Sequence, residues 1–194
     1  MIYKVLKALS DKLDHELNLP DPDCPVQEPV DVVIDSIAKE DNDATAISNK
    51  VVISLLSAEE ESALKNTSRY EPIYPEGSTV PRGYKKKNPT AYLNLYVMVA
   101  ANRDNYEIAL RNISKVIQTF NTEKTFVNEA QGFSIKLQLH PLPFDQLSYV
   151  WGLLGGKVIP SALYKISIVK IQKKGETYPE IIEDIDILRR EKKI

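Results

Sequence analysis

Residues 91–101 read Ala91-Tyr92-Leu93-Asn94-Leu95-Tyr96-Val97-Met98-Val99-Ala100-Ala101. Leu93, Leu95, Val97 and Val99 hold one set of alternate positions, and Tyr92, Asn94, Tyr96 and Met98 hold the other. Side chains of an extended chain point to opposite faces at period two, so one face of this strand is wholly apolar and the other partly so. A strand apolar on both faces is covered on both sides, which places it centrally in its sheet. Directly after it, Asp104 and Glu107 have the spacing of a capping box in its Asp variant. They precede Tyr106, Ala109, Leu110, Ile113, Val116, Ile117 and Phe120 at helical steps.

Working toward the C-terminus, Phe133, Ile135, Leu137 and Leu139 alternate with Ser134, Lys136, Gln138 and His140, giving a half-buried strand that stops at Pro141 and Pro143. A second amphipathic helix carries Leu147, Val150, Trp151 and Leu154 and ends on Gly155-Gly156. Leu163 to Ile171 is a further strand. Toward the N-terminus, Ile2, Val5, Leu6, Leu9, Leu13 and Leu17 gather on one helical face, and that helix ends before Pro20. The run from Asn18 to Pro29 holds four prolines and reads as a stiff connector. Val30 to Ile34 and Lys50 to Leu56 are short and β-branched, two strands with a hairpin as one pairing. Ser57 to Lys65 fits a helical turn with a Ser cap, followed by Glu59, Glu60 and Glu61. Asn66 to Pro89 contains four prolines, two glycines and three tyrosines, turn chemistry that predicts a long exposed loop. Helices and strands interleave, so the expected fold is α+β, a single mixed β-sheet with helices packed on it.

Composition narrows the function. The chain has 194 residues, 27 acidic against 25 basic, and 43% hydrophobic, which is the make-up of one folded globular domain. The charge balance argues against an electrostatic nucleic-acid binder. No stretch approaches the ~20 apolar residues that span a bilayer, and Met1-Ile2-Tyr3-Lys4 runs into the first helix without a signal-peptide core. The expectation is a protein made and folded in the cytoplasm, without a membrane partner. One cysteine, Cys24, and two histidines, His15 and His140, cannot supply a disulfide or a zinc cluster, so no metal or cofactor is expected.

Several motifs offer chemistry and fail on detail. Gly155-Gly156-Lys157 suggests a phosphate loop, but Trp151 stands where its first glycine belongs, Val158 replaces the Ser/Thr, and the glycines follow a helix. They read as a helix stop. Ser62-Ala63-Leu64-Lys65 has the spacing of a Ser/Lys acylase without its partner motifs. His140 beside Pro141 reads as a structural group. Asn66-Thr67-Ser68 and Asn112-Ile113-Ser114 match the glycosylation sequon only by pattern, since no secretory signal is read at the start of the sequence. Nucleophile, base and oxyanion donors do not converge, so the chain does not read as an enzyme. Arg82, Lys85, Lys86 and Lys87 surround Tyr84 in the long loop, near Tyr74. Tyrosine and arginine favour protein contacts, and prolines reduce the entropy lost on docking. A small phosphate- or nucleic-acid-binding domain using residues 82–87 is the alternative reading. The C-terminal segment, residues 176–194, carries Ile181, Ile182, Ile185, Ile187 and Leu188 after the turn at Lys173-Lys174-Gly175. Ile181, Ile185 and Leu188 fit a helical face while Ile185 and Ile187 fit a strand, and the segment is a candidate partner contact, the alternative being that it folds back on its own core.

Two blocks carry a family resemblance. The first is Leu93 to Asn102 followed by Tyr106 and the helix through Phe120. The second is Leu147-Ser148-Tyr149-Val150-Trp151-Gly152-Leu153-Leu154-Gly155 with Pro160-Ser161-Ala162-Leu163-Tyr164-Lys165. Together they resemble the tail-terminator, or cap, family of contractile injection systems, phage-tail-like particles typified by the antifeeding prophage and the Photorhabdus virulence cassette. The resemblance covers about 170 residues, with Trp151, Gly152, Gly155, Pro160 and Tyr164 as its signature. It implies a tail-terminator-like domain over residues 1–175, with 66–89 as its exposed loop. It also implies a structural role: a ring, as a homo-hexamer, at the baseplate-distal end of sheath and inner tube, stopping their polymerisation and tying one to the other. The partners implied are the chain itself, the sheath protein and the inner tube protein. The place implied is a particle assembled in the cell and released from it.

Overall fold

A computed structural model describes residues 1–20, 28–38, 44–61, 70–77, 79–86, 90–128, 133–156 and 158–172. Along the chain run α1 (Ile2–Leu17), β1 (Val32–Ile34), a 3-10 turn (Ala44–Ala46), β2 (Lys50–Glu60), β3 (Tyr70–Ile73) and β4 (Gly83–Lys86). They are followed by β5 (Thr90–Asn102), α2 (Tyr106–Thr122), β6 (Thr125–Asn128), β7 (Phe133–Leu139), α3 (Phe144–Leu153) and β8 (Ser161–Gln172). The contacts divide the chain into two compact units, one of Met1–Glu61 with Tyr92–Lys170 and one of Ser62–Ala91 with Ile171–Ile194.

The first unit is built on a mixed six-stranded sheet in the order β1-β2-β5-β8-β7-β6. The strand at residues 91–101 is interior, between β2 and β8, as its two apolar faces require. Val51, Ile53, Leu95, Val97, Val99, Ile135, Leu137, Tyr164 and Ile166 face one side. There they pack against Val5, Leu9, Leu13 and Leu17 of α1 and Ala109, Ile113, Val116 and Phe120 of α2. The intervening positions of β5, Met98 and Ala100, face the other side and meet Trp151, with Leu147, Val150 and Leu154 of α3 packed around them. The sheet is thus the middle layer of three, with α1 and α2 on one side and α3 on the other.

Local chemistry sets the element ends. Asn18 closes α1 and its side-chain amide copies a strand's backbone: Nδ2 donates to the Val30 carbonyl at 2.9 Å, and Oδ1 accepts from the Val30 amide at 3.0 Å. That clamp holds the far end of the proline-rich connector against the helix, while Ser10 Oγ donates to the Val32 carbonyl. At α2 the cap is Asn105, one residue beyond the expected Asp104, and its Oδ1 accepts from the amides of Glu107 and Ile108. Glu107 instead pairs with Arg111 one turn on.

Three expectations are corrected. Val30 to Ile34 and Lys50 to Leu56 do not form a hairpin: β1 lies parallel to β2, Val32 opposite Val51, and the chain crosses over between them. Ser57 to Glu60 is strand and not a helical turn. Beyond a bulge at Leu55/Ser57 it continues the antiparallel ladder on β5, with Ala58 opposite Leu95 and Glu60 opposite Leu93. A ladder partner thirteen residues long outweighs a local Ser cap, because each added residue gains backbone hydrogen bonds. Within 66–89, β3 and β4 form an antiparallel hairpin, Pro72 opposite Tyr84, where turn chemistry predicted only loop. Its prolines stand where a ribbon tolerates them, since a two-stranded edge leaves outward amides free of any ladder. The strand β6, opposite β7 at the sheet edge, has no counterpart in the sequence reading.

Candidate assembly surfaces

In the second unit the β3–β4 ribbon gathers most of the predicted contact residues. Ile73 accepts a backbone hydrogen bond from the Arg82 amide at 2.8 Å, closing the connection that carries Tyr74. Tyr70, Ile73, Tyr74, Val80 and Tyr84 are all exposed, an unusual apolar load for one short ribbon. Register sets Lys85 opposite Glu71 and Lys86 opposite Tyr70. Lys87 lies outside the described residues, as do Ser62 to Lys65, Ile181, Ile185 and Leu188.

The signature residues fall in the first unit. Trp151 is buried in the α3 layer. Gly155 and Gly156 have φ of 95° and 75°, the left-handed region, and the Gly156 amide donates to the Trp151 carbonyl at 2.7 Å. That six-to-one bond is a Schellman ending, so the glycines stop a helix and do not cradle a phosphate. Gly152 has open space where a Cβ would sit. The Pro160 carbonyl accepts from the Ala101 amide at 2.9 Å, stitching the entry of β8 to the exit of β5. His140 is half-buried and packs edge-on against Tyr96, ring centroids 5.1 Å apart. Burial, and then the neighbouring Glu59 carboxylate, hold the Tyr96 phenol above its usual range.

Tyr164 is buried under α2 against Phe120, its ring edge-on at 5.0 Å, and its hydroxyl has no hydrogen-bond partner among the described residues. Burial pushes its pKa up to about 12. A phenol that ionises near 10 when unfolded and near 12 when folded leaves stability intact below pH 10. It draws stability down as pH climbs from 10 to 12, by on the order of 2 kcal/mol. Tyr164→Phe removes that component, so urea midpoints of variant and parent should diverge only above pH 10, the parent falling faster. Equal slopes across that window would show that the phenol titrates freely in the folded state.

Among the described residues, no group of three or more His, Cys, Asp or Glu side chains is placed to hold a metal ion. No described helix is long and apolar enough to cross a membrane. What the chain presents is a set of surfaces: an aromatic and basic ribbon in one unit, and exposed apolar side chains on α2 and α3 in the other.

The family model described as the Pvc16 N-terminal domain matches residues 4–183. The chain belongs to that family. No curated protein matches it. Among solved structures, the chain is similar to the sheath/tube terminator of PVC, an extracellular contractile injection system, in its extended state. The TM-score is 0.63 at 15% identity, over 100% of this chain and 65% of that one. It is also similar to the tube-terminating cap of the anti-feeding prophage, with a TM-score of 0.60 at 15% identity, over 94% of this chain and 58% of that one. The chain therefore spans about two thirds or less of the length of these two structures, and at this identity the likeness is one of fold. The α+β architecture expected from the interleaved helices and strands is that of the tail terminators.

Proposed function

We propose that this Pvc16 N-terminal domain is a structural terminator of a contractile injection system. It forms a ring of six copies at the baseplate-distal end of sheath and inner tube, ends their growth and ties one to the other. The observation that carries the reading is the family match over residues 4–183, together with a shared fold that covers all of the chain in a sheath/tube terminator. The surfaces agree with it: apolar and aromatic side chains are displayed on the outside of the β3–β4 ribbon, α2 and α3. Its partners are then further copies, the sheath protein and the tube protein, and its place is in the particle. Co-expression with the tube and sheath proteins tests this directly. Tubes should stop at uniform length with density at one end under negative stain, and uncontrolled tube lengths with no bound chain would refute it.

Two contacts belong to the same reading. The β3–β4 ribbon, with Tyr74, Arg82, Tyr84, Lys85, Lys86 and Lys87, serves as a docking arm toward sheath or tube, and residues 176–194 pack on a neighbour through Ile181, Ile185 and Leu188. Replacing Lys85, Lys86 and Lys87 with Ser should leave the melting temperature unchanged and weaken co-sedimentation with sheath or tube, more at low salt than at high. Unaltered co-sedimentation of that triple variant would remove the basic contact. In the same assay, deletion of residues 180–194 should leave cooperative unfolding and abolish caps. An insoluble product would return the segment to its own core.

A further inference from the structure

We draw no further inference here: the strongest candidate, the outer edge of β6 (Thr125–Asn128), which no described strand pairs on that side and which carries the exposed Val127, supports none because nothing in the structure shows what covers it.

Discussion

Trp151→Ala is expected to cost about 3–5 kcal/mol of folding stability, the usual range for emptying a buried aromatic site. The site has little capacity to collapse. Trp151 is the largest side chain of the α3 layer, and its neighbours Met98 and Ala100 project from an interior strand whose backbone cannot move into the space, while Ile37 follows the end of β1. Ile37 is itself pinned, since its amide donates to Ser54 Oγ and Ser54 Oγ donates to the Asp35 carbonyl at 2.6 Å. Leu147, Val150 and Leu154 are only partly buried around the indole, so α3 has no second anchor of comparable area. Thermal unfolding should therefore show a lower midpoint, with rings lost as a consequence. An unchanged midpoint with assembly alone abolished would move Trp151 from the core to an interface. Leu153→Asp, two residues on, supplies the contrast: it should leave the midpoint alone, because Leu153 faces outward.

The neighbouring residues show what a sequence can and cannot convey. Period-two alternation at 93–99 located the interior strand, and helical spacing at 147–154 located the inward face of α3, because both patterns record burial in the residue's own element. The Schellman ending was legible for the same reason, since only the glycines need the left-handed region there. Pairing was not legible. Whether Val32 lies parallel or antiparallel to Val51 depends on where the intervening chain travels, and no residue in either strand records that path. Ser57 to Glu60 shows the converse, as local helix signals lost to a ladder offered by residues 33 to 39 positions away. The outward apolar side chains of α3 were legible as letters but not as a surface. Tyr149 and Leu153 look like additional core until Trp151 has been seen to fill the space under the helix.

Arg103→Ala is expected to cost about 2–3 kcal/mol, in the range of charge-assisted hydrogen bonds. Nothing in the sequence singles out Arg103, which follows the exit of β5, yet its side chain is only 2% exposed. Nη1 donates to the Asn49 carbonyl at 2.7 Å and reaches the Pro29 carbonyl at 3.4 Å, while Nη2 meets Glu28 Oε2 at 2.9 Å. The guanidinium thus ties the end of the proline-rich connector and the turn before β2 to the exit of the interior strand. Asn49 itself has φ of 56°, a left-handed turn for which a fixed carbonyl is useful. The ion pair is the smaller part of the effect, because Glu28 is mostly exposed and such pairs contribute under about 1 kcal/mol. Glu28→Gln should accordingly be nearly silent in urea unfolding, and Arg103→Lys should recover part of the loss, since one ammonium cannot reach all three acceptors. If Arg103→Ala proved no worse than Glu28→Gln, the carbonyl contacts would contribute nothing to holding the connector.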